Sequence, residues 1–155
     1  MMTNIRNILI LIMLILVATQ SIGDTNSQGL IKIKSQYTVS ITIDRLEHAI
    51  TNKGMTIFKR ISHSDGSEAV GMKLRPTALL IFGNPRAGTP IMLCEQTAAI
   101  DLPQKALAYE DKNGQVWLAY NDPAYIENRH HIKDCEKPLQ KISDALATFS
   151  RMATE

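Results

Sequence analysis

The sequence carries almost no surplus of either charge. Its 155 residues include 17 Lys or Arg and 15 Asp or Glu, and the two signs are interspersed along the chain. A nucleic-acid binder needs a clustered excess of basic residues against the phosphates. The composition therefore argues against a nucleic-acid partner. Internal repeats and low-complexity tracts are also missing, which indicates one domain without a long linker.

The sequence also lacks motifs that activate common catalytic groups. No Gly-Lys-Ser/Thr follows Gly83 or Gly88, so these glycines do not belong to a nucleotide-phosphate loop. No Gly-x-Ser-x-Gly elbow is present to expose a nucleophilic serine. We therefore expect no cofactor, assign no catalytic residue, and favour a non-catalytic protein over an enzyme.

One long apolar run is present, over residues 8–18, and it follows Arg6. A membrane-spanning helix needs about 20 apolar residues, so this run is too short and is typical of the central part of a secretory signal peptide. We predict a signal peptide over residues 1–23 with cleavage near Gly23, which leaves no stable membrane span. The mature protein would be periplasmic or secreted. An uncleaved anchor or a core helix is the alternative.

Hydrophobic spacing in the mature chain switches between strand and helix periods. Strands are predicted over residues 31–39, 55–61, 77–82, 105–110 and 115–120, and helices over 40–54, 90–97, from 123 onward and from 135 onward. This order predicts an α+β domain whose antiparallel sheet of about four to six strands packs with helices in two layers, with a closing C-terminal helix. We assign residues 24–35 to a lead-in with the start of the first strand, and residues 36–153 to a single domain.

The strand over residues 77–82 is apolar at nearly every position. Strands of this kind are buried on both faces. We therefore expect it near the centre of the sheet, covered on both sides, or packed against a second copy of the chain in a homodimer.

A series of short motifs runs through the chain in order. They are Asp44-Arg45-Leu46, His63, Arg75-Pro76-Thr77, Ile81-Phe82-Gly83-Asn84-Pro85, Gly88-Thr89-Pro90, Asp101-Leu102-Pro103, Tyr120-Asn121-Asp122-Pro123 and Arg129-His130. Over residues 36–150 the chain resembles domain-of-unknown-function family 302. The resemblance implies a compact β-α-β-rich domain with an antiparallel sheet, often a homodimer, and it implies no activity, substrate or cofactor. Gln104 replaces the apolar residue that the resemblance implies, a departure that bears on packing.

The two cysteines, Cys94 and Cys135, favour a disulfide because an exported protein meets an oxidising compartment. Closing a loop of about 41 residues would stabilise the fold by about 4 kcal/mol. Two free thiols are an alternative. A weaker one is a metal site, because His131 and Cys135 would share one face of a helix, and imidazole with thiolate suits zinc or copper.

Polar residues at the predicted strand ends form the candidate ligand site, since loops of a sheet protein carry function. The candidates are His63, Asn84, Arg86, Asp101, Asp122, Arg129 and His130. A small molecule is the expected ligand. The glycine-rich turn over residues 83–89 could bind an anion, but tight turns are its first explanation.

Two other hypotheses remain open. The first is a homodimeric interaction domain whose interface uses Trp117 and its neighbours. The second is a small hydrolase or transferase in which His63 or His130 acts as a base beside a carboxylate.

Overall fold

The computed structural model describes residues 24–25 and 29–155, so the predicted signal peptide over residues 1–23 lies outside the described residues. The described residues form an α+β domain built on one antiparallel sheet, which confirms the predicted fold class. The strands are β1 (Asp24–Thr25), β2 (Leu30–Lys34), β3 (Thr56–Ser62), β4 (Thr77–Gly83), β5 (Gln104–Glu110) and β6 (Val116–Asn121). The helices are α1 (Val39–Thr51), α2 (His63–Ala69), α3 (Pro85–Cys94), α4 (Pro123–His130) and α5 (Glu136–Thr154), and a 3₁₀ helix spans Gln96–Ile100.

The strands lie in the order β1-β2-β6-β5-β4-β3. Helices α1 and α5 pack together on one face of this sheet, and the core forms between them and the strands. In β4, Ala78, Leu80 and Phe82 are buried in this core, while the alternate residues Leu79 and Ile81 are only half-buried. Period-two alternation of this kind is what a sheet with helices on one face produces.

Residues 77–82 thus form an internal strand, second from the β3 edge, with Leu80 and Phe82 in the core. Helices α1 and α2 both contact β4, and the face that carries Leu79 and Ile81 is half-buried. Whether a second copy covers that face stays a prediction.

Helix α1 begins where the sequence predicted the opening strand to continue. The Thr38 side chain accepts a hydrogen bond from the backbone N–H of Ile41, which caps the helix and makes Val39 its first residue. The strand accordingly ends at Lys34 rather than at residue 39. The buried face of α1, with Ile43, Leu46, Ala49 and Ile50, follows the predicted helical spacing.

Two further boundaries differ from the prediction. Residues 63–66, which follow a predicted strand, begin α2 because the Ser62 hydroxyl accepts a hydrogen bond from the backbone N–H of Asp65 and caps the helix. Helix α3 starts at Pro85 rather than at Pro90, because Asn84 caps it and proline fits the first helical position. The predicted closing helix is present as α5.

A hairpin that contains Asn113-Gly114 joins β5 to β6, and its loop is longer than a two-residue turn. Only Gly114 of this pair has a positive φ, of 78°. The Asp111 side chain organises the loop by accepting hydrogen bonds from the backbone N–H groups of Asn113 and Gln115.

Among residues 24–25 and 29–155, no helix is long and apolar enough to cross a membrane.

Candidate functional site

A cavity of about 670 Å³ opens between α3, α5 and the end of the sheet where β4 finishes and β5 starts. This volume lies within the range of about 300–1,000 Å³ that is usual for small-molecule sites. Its lining is mostly apolar and consists of Met55, Phe58, Phe82, Gly83, Asn84, Pro85, Arg86, Ala87, Gly88, Thr89, Pro90, Met92, Ala99, Leu102, Pro103, Gln104, Lys137, Pro138, Lys141, Ile142, Ala145, Leu146 and Phe149.

The deep part of the cavity is aromatic and fixed by the core. Phe82 is 0% exposed and Phe149 is 4% exposed, whereas Phe58, at 53%, borders the solvent. Helix α5 contributes Pro138, Ile142, Ala145 and Phe149 because residues three or four apart share one helix face. The same spacing that makes α5 amphipathic thus forms one wall of the cavity.

Gln104 places an amide group in this apolar wall. The residue is 7% exposed, yet its side-chain amide has no hydrogen-bond partner among the described residues. Its amide atoms still reach accessible space, and the residue lines the cavity. Buried polar groups are normally paired. An amide of this kind is therefore available to donate to, or accept from, a bound molecule.

Three basic residues, Arg86, Lys137 and Lys141, are the charged members of the lining. All three are exposed, so they lie at the open side of the cavity. No ion pair joins any of them to an acidic residue within the described part of the chain. The cavity entrance is therefore positive.

In the glycine-rich segment over residues 83–89, the backbone N–H groups of Arg86, Ala87 and Gly88 already have hydrogen-bond acceptors within the chain. The Asn84 side chain accepts from the N–H of Arg86, and the Asn84 carbonyl accepts from the N–H groups of Ala87 and Gly88. The Asn84 amide also donates to the Gly54 carbonyl. These contacts support the turn-and-cap explanation of this segment, and an anion at the entrance would rely on side chains.

Asp101 is the centre of a polar network behind the cavity wall. Arg129 Nη1 lies 3.0 Å from Asp101 Oδ1, and His130 Nε2 lies 2.6 Å from Asp101 Oδ2. The Lys105 ammonium donates to the backbone carbonyls of Asp101 and Pro103. Since Leu102 and Pro103 line the cavity, this network holds the wall in position.

The network continues through His130 to Thr97. His130 Nδ1 lies 3.0 Å from Thr97 Oγ1, and that hydroxyl also lies 2.8 Å from Glu95 Oε1. The backbone N–H of Thr97, followed by its hydroxyl, holds the pKa of Glu95 below its ordinary value. The order hydroxyl, imidazole, carboxylate is the one that activates a nucleophile.

The donor pattern nevertheless favours a structural role for this order. A carboxylate only accepts hydrogen bonds, so the Thr97 hydroxyl donates its hydrogen to the carboxylate of Glu95. The hydroxyl hydrogen therefore does not point at His130 Nδ1, as it must where an imidazole takes a proton from a nucleophile. None of these side chains lines the cavity.

A disulfide joins Cys94, the last residue of α3, to Cys135, the cap of α5. The bond ties together the two helices that form opposite walls of the cavity. It also uses the thiolate that the His131–Cys135 metal alternative requires. Within residues 24–25 and 29–155, no group of three or more His, Cys, Asp or Glu side chains could hold a metal ion.

The structure separates the sequence-predicted site residues into two groups and two single residues. Asn84 and Arg86 line the cavity, and Asp101, Arg129 and His130 form the network behind it. Asp122 caps α4 by accepting from the N–H of Ala124. His63 lies apart from them all, because it follows the end of β3 that is opposite Ala78, whereas the cavity is at the Gly83 end.

Sequence reasoning missed the residues that give the cavity its character. Lys137 and Lys141 have the four-residue spacing of a helix face and border apolar residues, a signal that could have singled them out. Gln104 was noticed as a departure but interpreted as a packing matter. Phe82 and Phe149, which form the deep part of the cavity, have the apolar spacing of ordinary core residues.

This chain belongs to the family described as "Domain of unknown function DUF302", which matches residues 31–149. The crystal structure of an uncharacterized conserved DUF302 protein from Bacillus stearothermophilus has a TM-score of 0.74 to this chain at 17% identity, covering 82% of this chain and 99% of that one. At this identity the likeness concerns the fold.

Curated relatives are longer proteins. The chain is 43% identical over 104 residues to "Fluoride-specific ion channel FluC 1" of Brucella suis biovar 1, a match of 67% of this chain and 41% of that protein. It has the same identity to the proteins named FluC 1 of Brucella abortus and FluC 2 of Brucella melitensis, with 38% of each covered. The chain thus spans about two fifths of the relatives that it matches.

Proposed function

We propose that this chain is a non-catalytic domain that binds a small, largely apolar molecule in the cavity between α3 and α5. The observation that carries the proposal is Gln104, a residue 7% exposed whose accessible side-chain amide has no partner among the described residues and lies in the wall of an apolar cavity of about 670 Å³. Mostly apolar cavities with a few placed polar groups are typical of ligand sites. The likeness to fluoride channels concerns a segment of those proteins, and the proposal does not include ion conduction.

Binding of a neutral apolar dye, N-phenyl-1-naphthylamine, tests the proposal. Its fluorescence should rise on adding the protein, and Ala145→Phe should abolish the rise because the new ring enters the cavity from α5. Ala147→Phe is the matched control, since Ala147 is exposed on the same helix and does not line this cavity. Dye binding that is absent, or equal in both variants, would contradict the proposal.

Export of the chain is part of the same proposal. The apolar run over residues 8–18 supports a signal peptide, and the Cys94–Cys135 disulfide suits an oxidising compartment such as the periplasm. Intact mass of the protein recovered from that compartment should correspond to a chain beginning at Asp24. A mass that retains residues 1–23 would refute cleavage.

A homodimer is a second proposal, supported by the sheet face opposite α1. Leu79 and Ile81 of β4 and Leu107 of β5 are half-buried there. Trp117 lies on the same face, but its indole N–H donates to Asp111. Sedimentation equilibrium should show a dimer, and Leu79→Glu should convert it to a monomer. A wild-type monomer at every concentration would overturn the proposal.

A further inference from the structure

We infer that the ligand of this cavity is an anionic amphiphile, an apolar chain that ends in a carboxylate or phosphate group. The inference rests on the proposed function and adds the chemical class of the ligand. It depends on where the charges of the cavity lie and on what they lack.

The charges around the cavity are of one sign. Lys137 and Lys141 are four residues apart on α5, so they lie on one helix face, and Arg86 lies in the first turn of α3. All three line the cavity, and its lining contains no Asp or Glu. A cluster of one sign at the mouth of a low-dielectric cleft concentrates ions of the opposite sign.

These cations are distinguished by their position around the cavity, because among the described Lys and Arg residues only Arg60 and Arg129 have an acidic partner. Arg60 pairs with Asp44 on the surface, and Arg129 pairs with Asp101. Arg86, Lys137 and Lys141 have no such partner within the described residues. A ligand that brings one anionic group to the entrance would complete these interactions while its chain enters the apolar interior.

The Gln104 amide in the cavity wall also suits an anionic ligand. The Gln104 amide can donate a hydrogen bond to a carboxylate or phosphate oxygen, and both are acceptors. Asn84 is less available, because its side-chain oxygen and nitrogen bond the Arg86 N–H and the Gly54 carbonyl. A cationic amphiphile would meet like charges at the entrance.

Three ligands with the same ten-carbon chain test the inference by isothermal titration calorimetry: decanoate, decyl phosphate and decanol. Two exposed charges about 4 Å apart attract each other by about 1 kcal/mol in water, so we expect either anion to bind about fivefold more tightly than the alcohol. The preference should shrink at high salt, which screens exposed charges. The stronger of the two anions identifies the head group.

A charge-reversed variant locates the effect. Lys137→Glu combined with Lys141→Glu should remove the preference for the anions over decanol, measured as the ratio of their dissociation constants. Lys112→Glu is the matched control, because Lys112 is exposed in the β5–β6 loop and does not line the cavity. It should preserve the preference.

The outcomes distinguish a wrong ligand class from a wrong ligand site. Equal binding of all three ligands, blocked by Ala145→Phe, would overturn the anionic class and leave the cavity as a ligand site. An anion preference that survives reversal of both lysines would also overturn the inference. No binding of any of the three ligands or of the neutral dye would overturn the proposed function itself.

Discussion

Removing the Cys94–Cys135 disulfide should destabilise the domain by an amount that its loop length sets. The two cysteines are 41 residues apart. In the chain-entropy model, opening a loop of this length returns about 13 cal/mol/K to the unfolded chain, or about 4 kcal/mol at 25 °C. We expect this loss for Cys94→Ser combined with Cys135→Ser, since both serines fit the space of the sulfurs.

Urea unfolding, followed by the fluorescence of the single tryptophan Trp117, measures the loss. With a slope of about 2 kcal/mol per molar urea, the unfolding midpoint should fall by about 2 M. Wild-type protein in reductant should unfold at the midpoint of the double variant, and reductant should not shift the double variant further. A midpoint change that corresponds to less than about 1 kcal/mol would refute the argument from loop closure.

Three other perturbations test the site. Asp101→Asn removes a buried carboxylate that accepts hydrogen bonds from Arg129 and His130, and it should cost about 2 kcal/mol in urea unfolding. Asp122→Asn should cost almost nothing because asparagine caps a helix equally well, and equal losses would refute the network. The Trp117 indole N–H lowers the pKa of Asp111 below its ordinary 3.8. This contact therefore stabilises the fold above about pH 4, and the stabilisation is lost as the pH falls through the lowered pKa of Asp111 in the folded state. In Trp117→Phe the midpoint of the Asp111 carboxyl, followed by NMR, should rise towards 3.8, and an unmoved midpoint would contradict that cause. Gln104→Leu breaks no hydrogen bond within the described residues, so it should not lower the free energy of unfolding but should weaken decanoate binding; a loss above about 1 kcal/mol would mark Gln104 as structural.

Much of the fold could be predicted from local patterns. Helix α5 followed from its hydrophobic spacing, and the start of α4 followed from Asp122-Pro123, a cap and a first helical position. At β4, apolar residues on both strand faces do not say what covers each face. Leu79 and Ile81 look like core in the sequence, yet they are only half-buried in the structure.

The candidate site was harder to predict because it depends on the distance between elements that are far apart in sequence. Asn84 and Arg86 could be selected as polar residues after a strand. The cavity itself exists because α3 and α5, joined at Cys94 and Cys135, stand apart over the end of the sheet. No local pattern encodes that spacing, and Lys141 consequently looks like an ordinary solvated residue.

The most direct test of the account is an amide NMR spectrum of the isotope-labelled protein, recorded with and without decanoate. The account predicts that the shifted amides cluster around Gln104, Lys141 and Phe149, and that Leu79 and Leu107 on the opposite sheet face stay unchanged. Shifts confined to that opposite face, or no shifts at all, would contradict a ligand site between α3 and α5.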